Sequence, residues 1–131
     1  MPSLAARALM AYSRAVIKRN DLSKEALTPH LRRTMNNSPL PVLLPRGLRA
    51  RTFTHDVGNG VLRGDWLQHK TARRVLLYLH GGGYVAGKTR TYHNLCGKLA
   101  GDLEADVVMP DYRLAPEHPF PAAVDDAIAA Y

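Results

Sequence analysis

The sequence predicts an α/β fold, in which helices and an antiparallel hairpin are followed by parallel strands joined by a crossover helix. The apolar run over 74–80 is short and continuous, which is typical of a strand buried on both faces of a parallel sheet, and a glycine-rich turn follows it. A second short apolar run lies at 107–109, after a segment in which Leu95, Leu99 and Leu103 recur at helical spacing. Earlier in the chain, Gly58-Asn59-Gly60 separates two strand-like segments, which indicates a hairpin.

Size and composition are those of one globular domain. The 131 residues, of which 46% are hydrophobic, are enough for a real core. The single cysteine, Cys96, excludes an internal disulfide and fits a reducing compartment, so we expect a cytoplasmic protein. No apolar run reaches membrane-spanning length, and no secretory signal is visible because Arg7 and Arg14 interrupt the candidate segment.

Positive charge is concentrated in the first part of the chain. The formal net charge is +7, and residues 1–51 hold ten Lys and Arg against two Asp and Glu. Such a segment could contact nucleic acid or an anionic membrane, and its start resembles an organelle transit peptide in charge. Tyr12 is its only aromatic residue, so stacking platforms for bases are missing. We favour a solvated helix face and predict no nucleic-acid partner.

Two helices are predicted before residue 46. Residues 4–18 place apolar groups at helical spacing on one face and basic groups on the other. Thr28 is a suitable N-cap for a second helix from Pro29 to Met35, since proline is favourable in the first turn. The Asn, Ser and Pro residues at 36–39 then stop helix formation, and a proline-rich linker follows.

After residue 47 the pattern changes to alternating strands and helices. The predicted elements are strands over 48–57, 61–68, 74–80 and 107–109, the last ended or edged by Pro110, and helices over 91–103 and 121–130. The last helix reaches Tyr131 without a glycine or asparagine cap. We therefore expect the 131 residues to be the N-terminal part of a longer protein.

The glycine-rich turn matches two patterns. The first is a phosphate-binding loop, because residues 82–89 spell G-x-x-x-x-G-K-T between a strand and a helix. Bulky Tyr84 and Val85 stand where close phosphate approach is needed, and Pro110 directly precedes Asp111, the candidate metal ligand. Nucleotide binding through 82–89 is therefore the less favoured alternative.

The second pattern uses more of the chain. His80-Gly81-Gly82-Gly83-Tyr84 resembles the HGGG oxyanion motif of the hormone-sensitive-lipase-like esterases, a branch of the α/β-hydrolases. Residues 111–123 are similar to the second signature of that family, and Gly64-Asp65-Trp66-Leu67 also fits it. The resemblance implies the N-terminal part of an α/β-hydrolase fold with an incomplete sheet: a helical cap segment and linker over 1–46, and part of the catalytic domain over 47–131.

The resemblance also implies roles for the glycine-rich turn. Backbone N–H groups of Gly82 and Gly83 would be two donors of an oxyanion hole. Gly81 lets the chain turn, His80 would hold the loop by hydrogen bonding, and Tyr84 would line the acyl side of the substrate pocket. In the second signature, Asp111, Arg113 and Glu117 are expected to form a structural network behind the site.

The catalytic triad of that family is not found in these residues. The four serines, Ser3, Ser13, Ser23 and Ser38, all lie outside a G-x-S-x-G setting, and neither His93 nor His118 matches the family's catalytic histidine. We therefore expect the chain by itself to be inactive, because the triad works as a unit. The resemblance implies no metal or cofactor, and the six histidines lack zinc-type spacing.

Partners follow from the same comparison. The resemblance implies a small carboxylic ester as the substrate of the full-length protein, with a non-catalytic interaction module as the alternative. In the family's strand order, the strand over 74–80 would lie between the strand over 107–109 and a strand that bears the serine. We expect this apolar edge to be exposed here and to favour self-association.

Overall fold

A computed structural model describes residues 3, 4, 6–8, 10, 11, 24–37, 41–58 and 60–131. Backbone at 4, 6–8, 10 and 11 is helical, and the rest of the helix predicted over 4–18 lies outside the described residues. The other elements are α1 (Lys24–Asn36), β1 (Leu48–Asp56), β2 (Val61–His69), β3 (Val75–Leu77), α2 (Thr89–Leu103), β4 (Asp106–Asp111) and α3 (Ala122–Ala130). Among these described helices, none combines the length and apolar character needed to cross a bilayer.

The four strands form one mixed sheet in the order β1-β2-β4-β3. β1 and β2 are antiparallel, and their register runs from Leu48 opposite His69 to Asp56 opposite Val61. β2 is also antiparallel to β4, whereas β3 and β4 are parallel and are connected by α2. The α/β class is confirmed, including its hairpin, its parallel pair and its crossover helix.

The hairpin closes through a four-residue connection whose Asn59 lies outside the described residues. Val57 N–H donates to the Gly60 carbonyl at 3.0 Å, and Gly58 N–H donates to Asp56 Oδ1 at 2.8 Å. The second bond is an Asx-type turn, in which a side chain takes the place of a backbone acceptor. The turn predicted from the glycines is therefore confirmed.

The core lies between α2 and the face of β2 and β4. It is formed by five buried side chains from these three elements: Leu67, Cys96, Ala100, Val107 and Met109. The buried face of α2 carries small residues, and a Cβ built on Gly97 would lie 3.0 Å from Leu44 Cδ2 in the preceding linker. Small side chains thus let α2 lie close to the linker as well as to the sheet.

Helix α1 differs from its prediction at its start. It begins at Lys24, so Pro29 lies inside it and is not its first residue. Proline keeps a helical φ and removes one N–H, here the one that would bond to the carbonyl of residue 25. The helix therefore loses one bond and continues to Asn36, where the predicted stop is confirmed.

Strand β4 also differs, because it runs through Pro110 to Asp111. Asp106 N–H donates to Arg74 and Val108 accepts from Tyr78, so alternate residues of β4 bond towards β3. Pro110 is next in that series, beyond the end of β3, where a ladder donor is not required. Pro110 was predicted to end the strand or to lie at its edge, and the first of these alternatives was wrong for that reason.

Candidate functional site

The glycine-rich turn after β3 has a backbone that only glycine adopts readily. Gly82 has φ 139°, Gly83 has φ 61° and Gly87 has φ 109°, and Tyr84 shares this region at φ 62°. A Cβ built on Gly82 would lie 1.9 Å from the Ala86 carbonyl oxygen, whereas one on Gly83 would meet nothing within 4 Å. Glycine is therefore required at position 82 by both conformation and space.

Hydrogen bonds close this turn but leave its first donors available. Val85 N–H and Ala86 N–H both donate to the Gly82 carbonyl, at 3.2 and 3.1 Å. Within the part of the chain that the structure describes, the N–H groups of Gly82 and Gly83 donate to no protein acceptor. Two neighbouring free donors are the elementary requirement for binding a developing negative charge.

A cavity of about 580 Å³ adjoins these donors. Its walls are mostly apolar and come from the turn, from Tyr112 and from α3, with Val124, Ala127 and Ile128 among the helix residues. A concave apolar surface with a few polar donors is the usual form of a small-molecule site. The structure thus places the two predicted donors, Gly82 and Gly83, at the wall of a cavity that could hold a ligand.

His80 lies at the base of the turn and is only 5% exposed. Its ring stacks on Tyr112, with centroids 4.3 Å apart, and on Tyr92 at 5.9 Å. Nδ1 of His80 is 3.0 Å from the Gly81 carbonyl oxygen, and a Cβ on Gly87 would lie 2.4 Å from that nitrogen. The imidazole therefore fills the interior of the turn and packs against the two tyrosine rings.

Two tyrosine hydroxyls bond to the backbone on either side of that imidazole. Tyr112 donates to the His80 carbonyl at 2.5 Å, and Tyr92 donates to the Gly81 carbonyl at 3.2 Å. Burial raises the pKa of Tyr112 to about 12, so its hydroxyl keeps its proton at neutral pH. Sequence reasoning missed the roles of both tyrosines. Their hydroxyls lie 11 and 32 residues along the chain from the carbonyls that they contact, and no local sequence pattern indicates such contacts.

Tyr84 is 62% exposed and lies at the boundary of two cavities. It lines the 580 Å³ cavity, and it also lines a second cavity of about 430 Å³ beside His118 and Phe120. Its carbonyl accepts a 2.8 Å hydrogen bond from Ala115 N–H, which fixes the backbone on the second-signature side. Its side chain is therefore free to contact a ligand while its main chain is held.

The start of α2 is occupied by carboxylates. Asp111 Oδ1 accepts from Thr89 N–H at 2.9 Å, and Thr89 Oγ1 donates to Asp65 Oδ2 at 2.5 Å. His93 Nε2 lies 2.8 Å from the same Asp65 oxygen. A phosphate bound at this helix start would meet two carboxylates in place of free donors, which disfavours a phosphate-binding loop.

The three charged residues of the second signature have three different partners. Asp111 bonds to Thr89, Arg113 pairs with Asp126 of α3 at 2.7 Å, and Glu117 pairs with Arg32 of α1. No hydrogen bond joins Asp111, Arg113 and Glu117 to one another in the described ranges. The structure therefore distributes the expected network over three separate contacts.

The remaining candidate residues do not line the 580 Å³ cavity, and one of them is chemically inert. Cys96 is buried, and burial raises the pKa of its thiol to about 12. His118 is exposed, and His93 lies in the Asp65 cluster. Among the residues that the structure describes, no group of three His, Cys, Asp or Glu side chains could hold a metal ion.

Known proteins resemble this chain in sequence. A family described by its alpha/beta hydrolase fold matches residues 76–131. Esterase LipI of Mycobacterium tuberculosis is 55% identical over 56 residues, which are 43% of this chain and 18% of that esterase. Ethyl acetate hydrolase of Pseudomonas putida is 50% identical over 60 residues, which are 46% of this chain and 19% of that enzyme.

Solved structures give the same result over more of the chain. ESTFA, in an iron-lacking apo form, has a TM-score of 0.79 at 26% identity, and the alignment covers 99% of this chain and 43% of the ESTFA chain. An esterase from the bacterial hormone-sensitive lipase family has a TM-score of 0.60 at 33% identity, over 86% of this chain and 36% of its own. The chain thus spans less than half the length of these structures. Residues 76–131 match the alpha/beta hydrolase fold family, and the resemblance of the chain to the hormone-sensitive-lipase-like branch is confirmed.

Proposed function

We propose that residues 80–84 supply part of the oxyanion hole of a serine carboxylic-ester hydrolase. The observation that carries this proposal is the pair of unbonded N–H groups on Gly82 and Gly83, beside an apolar cavity of about 580 Å³. Ester hydrolysis passes through a tetrahedral intermediate whose oxygen bears negative charge. Each preorganised donor to that oxygen stabilises the transition state by about 3–4 kcal/mol.

The apolar cavity walls favour a small carboxylic ester as the substrate. Tyr84 would contact the acyl side, because it lines this cavity with an exposed ring. One relative is named as an ethyl acetate hydrolase, and ethyl acetate is a small carboxylic ester. We propose no metal or cofactor, since the oxyanion-hole chemistry requires only backbone donors and a nucleophile.

The nucleophile, acid and base of this reaction lie outside the 131 residues in our proposal. None of the four serines in the chain has a G-x-S-x-G setting, so the 131 residues alone should not turn over esters. We assign residues 1–46 to a cap segment with linker and 47–131 to part of the catalytic domain. We also propose a cytoplasmic location, supported by the single cysteine, Cys96, which is buried and unpaired.

A transplant tests the oxyanion role. Residues 76–131 would replace the matching segment of the Pseudomonas putida ethyl acetate hydrolase, and the chimera would be assayed with p-nitrophenyl acetate. We expect turnover, and we expect Gly82→Ala to lower kcat/KM about 100-fold or more because the turn is distorted. Gly101→Ala, in the last turn of α2, is the control, since its Cβ would meet no side chain of residues 76–131 within 4 Å. A folded chimera insensitive to Gly82→Ala would refute the role.

The 131-residue chain itself tests the second half of the proposal. It should neither hydrolyse p-nitrophenyl acetate nor become labelled by a serine-reactive phosphonate. Turnover that the phosphonate abolishes would show that the chain carries a nucleophile of its own. Binding of Mg-ATP that is lost in Lys88→Ala would instead support the phosphate-loop alternative.

A non-catalytic interaction role is the second candidate, and one observation favours it. β3 pairs with β4 only on one side among the described strands, and Val75 is 66% exposed on this edge. Unpaired strand edges present N–H and C=O groups to other chains. We therefore propose that the isolated chain self-associates through β3.

A further inference from the structure

Arg32 of α1 contacts both loops of the candidate site. Its Nε donates to the Val85 carbonyl at 2.8 Å, and its Nη2 donates to the Ala115 carbonyl at 3.0 Å. The same guanidinium pairs with Glu117, through Nη1 to Oε1 at 2.7 Å and Nη2 to Oε2 at 2.5 Å. One side chain thus bonds to three residues that follow it in the sequence by 53, 83 and 85 positions.

This arrangement uses the shape of a guanidinium. Three nitrogens in one plane serve two main-chain carbonyls and a carboxylate at the same time, which a single ammonium group cannot reproduce. The two carbonyls belong to loops that also bond directly, since Ala115 N–H donates to the Tyr84 carbonyl at 2.8 Å. Arg32 therefore spans a contact between the glycine-rich turn and the second-signature loop.

Asn36 holds the other end of the turn. Its Oδ1 accepts from Gly87 N–H at 2.8 Å, and the neighbouring Met35 carbonyl accepts from Thr91 Oγ1 at 2.9 Å. Arg32 and Asn36 are four residues apart and so share one face of α1. Helix α1 thus holds the turn at Val85 and at Gly87, on both sides of Ala86.

We propose that Arg32 and Asn36 are positioning residues for the oxyanion turn. The hydrogen bonds inside the turn run from the N–H groups of Val85 and Ala86 to the Gly82 carbonyl. The direction of the Gly82 peptide therefore depends on where Val85 and Gly87 are held, and α1 holds both. The catalytic consequence depends on the proposed function, whereas the positioning itself is a property of the chain.

Hydrogen exchange in the 131-residue chain tests the positioning without any activity. Arg32→Lys and Asn36→Ala would be compared with Arg33→Lys, an exposed neighbour on α1, by mass spectrometry at low protein concentration. Loss of one or two such bonds should speed exchange within 82–87 about tenfold, at the hydrogen-bonded amides of Val85, Ala86 and Gly87. Exchange in β4 should stay unchanged in all variants.

The outcomes are distinct. Faster exchange confined to 82–87 in Arg32→Lys, with none in Arg33→Lys, supports the proposal. Exchange over 82–87 that equals the parent chain, or that rises equally in β4, overturns it. If Arg32→Lys fails to fold, Asn36→Ala decides alone: faster exchange of the Val85 and Ala86 amides, whose own acceptor is unchanged, supports the proposal, and unchanged exchange there overturns it.

A kinetic test separates positioning from general stability. This whole chain would replace the equivalent part of ESTFA, with which it aligns over 99% of its residues. Arg32→Lys should then lower kcat about tenfold at unchanged KM, measured well below Tm, while Arg33→Lys changes neither. A lower Tm with unchanged kcat would mean that Arg32 only stabilises the fold. A chimera without any turnover would refute the proposed function, and hydrogen exchange would still decide the positioning.

Discussion

Arg113 holds Asp126 through both its side chain and its main chain. Nη2 of Arg113 donates to Asp126 Oδ1 at 2.7 Å, and Arg113 N–H donates to Oδ2 at 2.8 Å. Nε lies 3.0 Å from both oxygens. Asp126 is 1% exposed, so its carboxylate depends on these donors. This contact attaches α3, one wall of the candidate cavity, to the second-signature loop.

Asp126→Ala should therefore destabilise the chain by about 1–3 kcal/mol, because it leaves the partly buried donors of Arg113 without an acceptor. Thermal and urea melts followed by circular dichroism would measure the change. Asp125→Ala is the matched control, since Asp125 is the exposed neighbour in the first turn of the same helix. Equal effects from the two variants would show that the Arg113 contact does not stabilise α3.

The two glycines of the turn should respond differently to alanine. Gly82→Ala places a Cβ 1.9 Å from the Ala86 carbonyl oxygen, so the turn must change shape. Gly83→Ala meets no atom within 4 Å and carries only the cost of a left-handed backbone, about 1–2 kcal/mol. Melting temperatures should fall more in Gly82→Ala. A larger loss in Gly83→Ala would contradict the turn geometry.

Stability should depend on pH through the Arg32–Glu117 pair. The hydrogen bond from Arg32 lowers the pKa of the Glu117 carboxyl from 4.5 to about 2. Because the folded pKa lies below the unfolded one, the stabilisation is complete above the unfolded pKa and is lost as the pH falls through the folded pKa.

Melts of the parent chain and of Glu117→Gln between neutral pH and pH 2 would measure this dependence. Their Tm difference should be constant at neutral pH and shrink below about pH 4.5. It should also shrink in high salt, because the Glu117 side chain is 54% exposed. Glu104→Gln, at an exposed helix end, is the control. A difference independent of pH would contradict the pairing.

Cys96 should be unreactive in the folded chain. Burial raises the pKa of its thiol to about 12, and the side chain is fully enclosed in the core. Labelling with Ellman's reagent at pH 8 should be about a thousandfold slower than for an exposed thiol, and complete after denaturation. Leu95→Cys adds a thiol at the adjacent position, which is 50% exposed, and should label fast. Fast labelling of Cys96 itself would show that α2 does not pack as described.

Self-association should depend on the open edge of β3. Val75→Lys puts a charge on that edge and should lower the apparent mass at high concentration. Val61→Lys is the control, because Val61 is 54% exposed but lies on β2, which has a partner strand on each side. Light scattering after size exclusion would measure the mass. A parent chain that is monomeric and melts reversibly at a concentration-independent temperature would contradict the proposal.

Local patterns predicted most of the fold. The glycines at 58 and 60 indicated the hairpin, and the leucine periodicity indicated α2. That periodicity did not predict how α2 packs, because Leu95 and Leu103 are about half exposed and the small residues face the core. On that inward face a Cβ at position 97 would lie 3.0 Å from Leu44 Cδ2, so a larger residue there would require the linker leucine to shift.

The sequence by itself determined the glycine-rich turn, because steric limits on φ act within one residue and only glycine adopts the values of Gly82 readily. It also determined the succession of strands and helices along the chain, including the crossover helix, because these follow from hydrophobic period. The partners of the charged residues, in contrast, depend on tertiary packing. Glu117 meets Arg32 from 85 positions away, and a contact at that distance depends on how whole elements pack, which no local pattern of residues records.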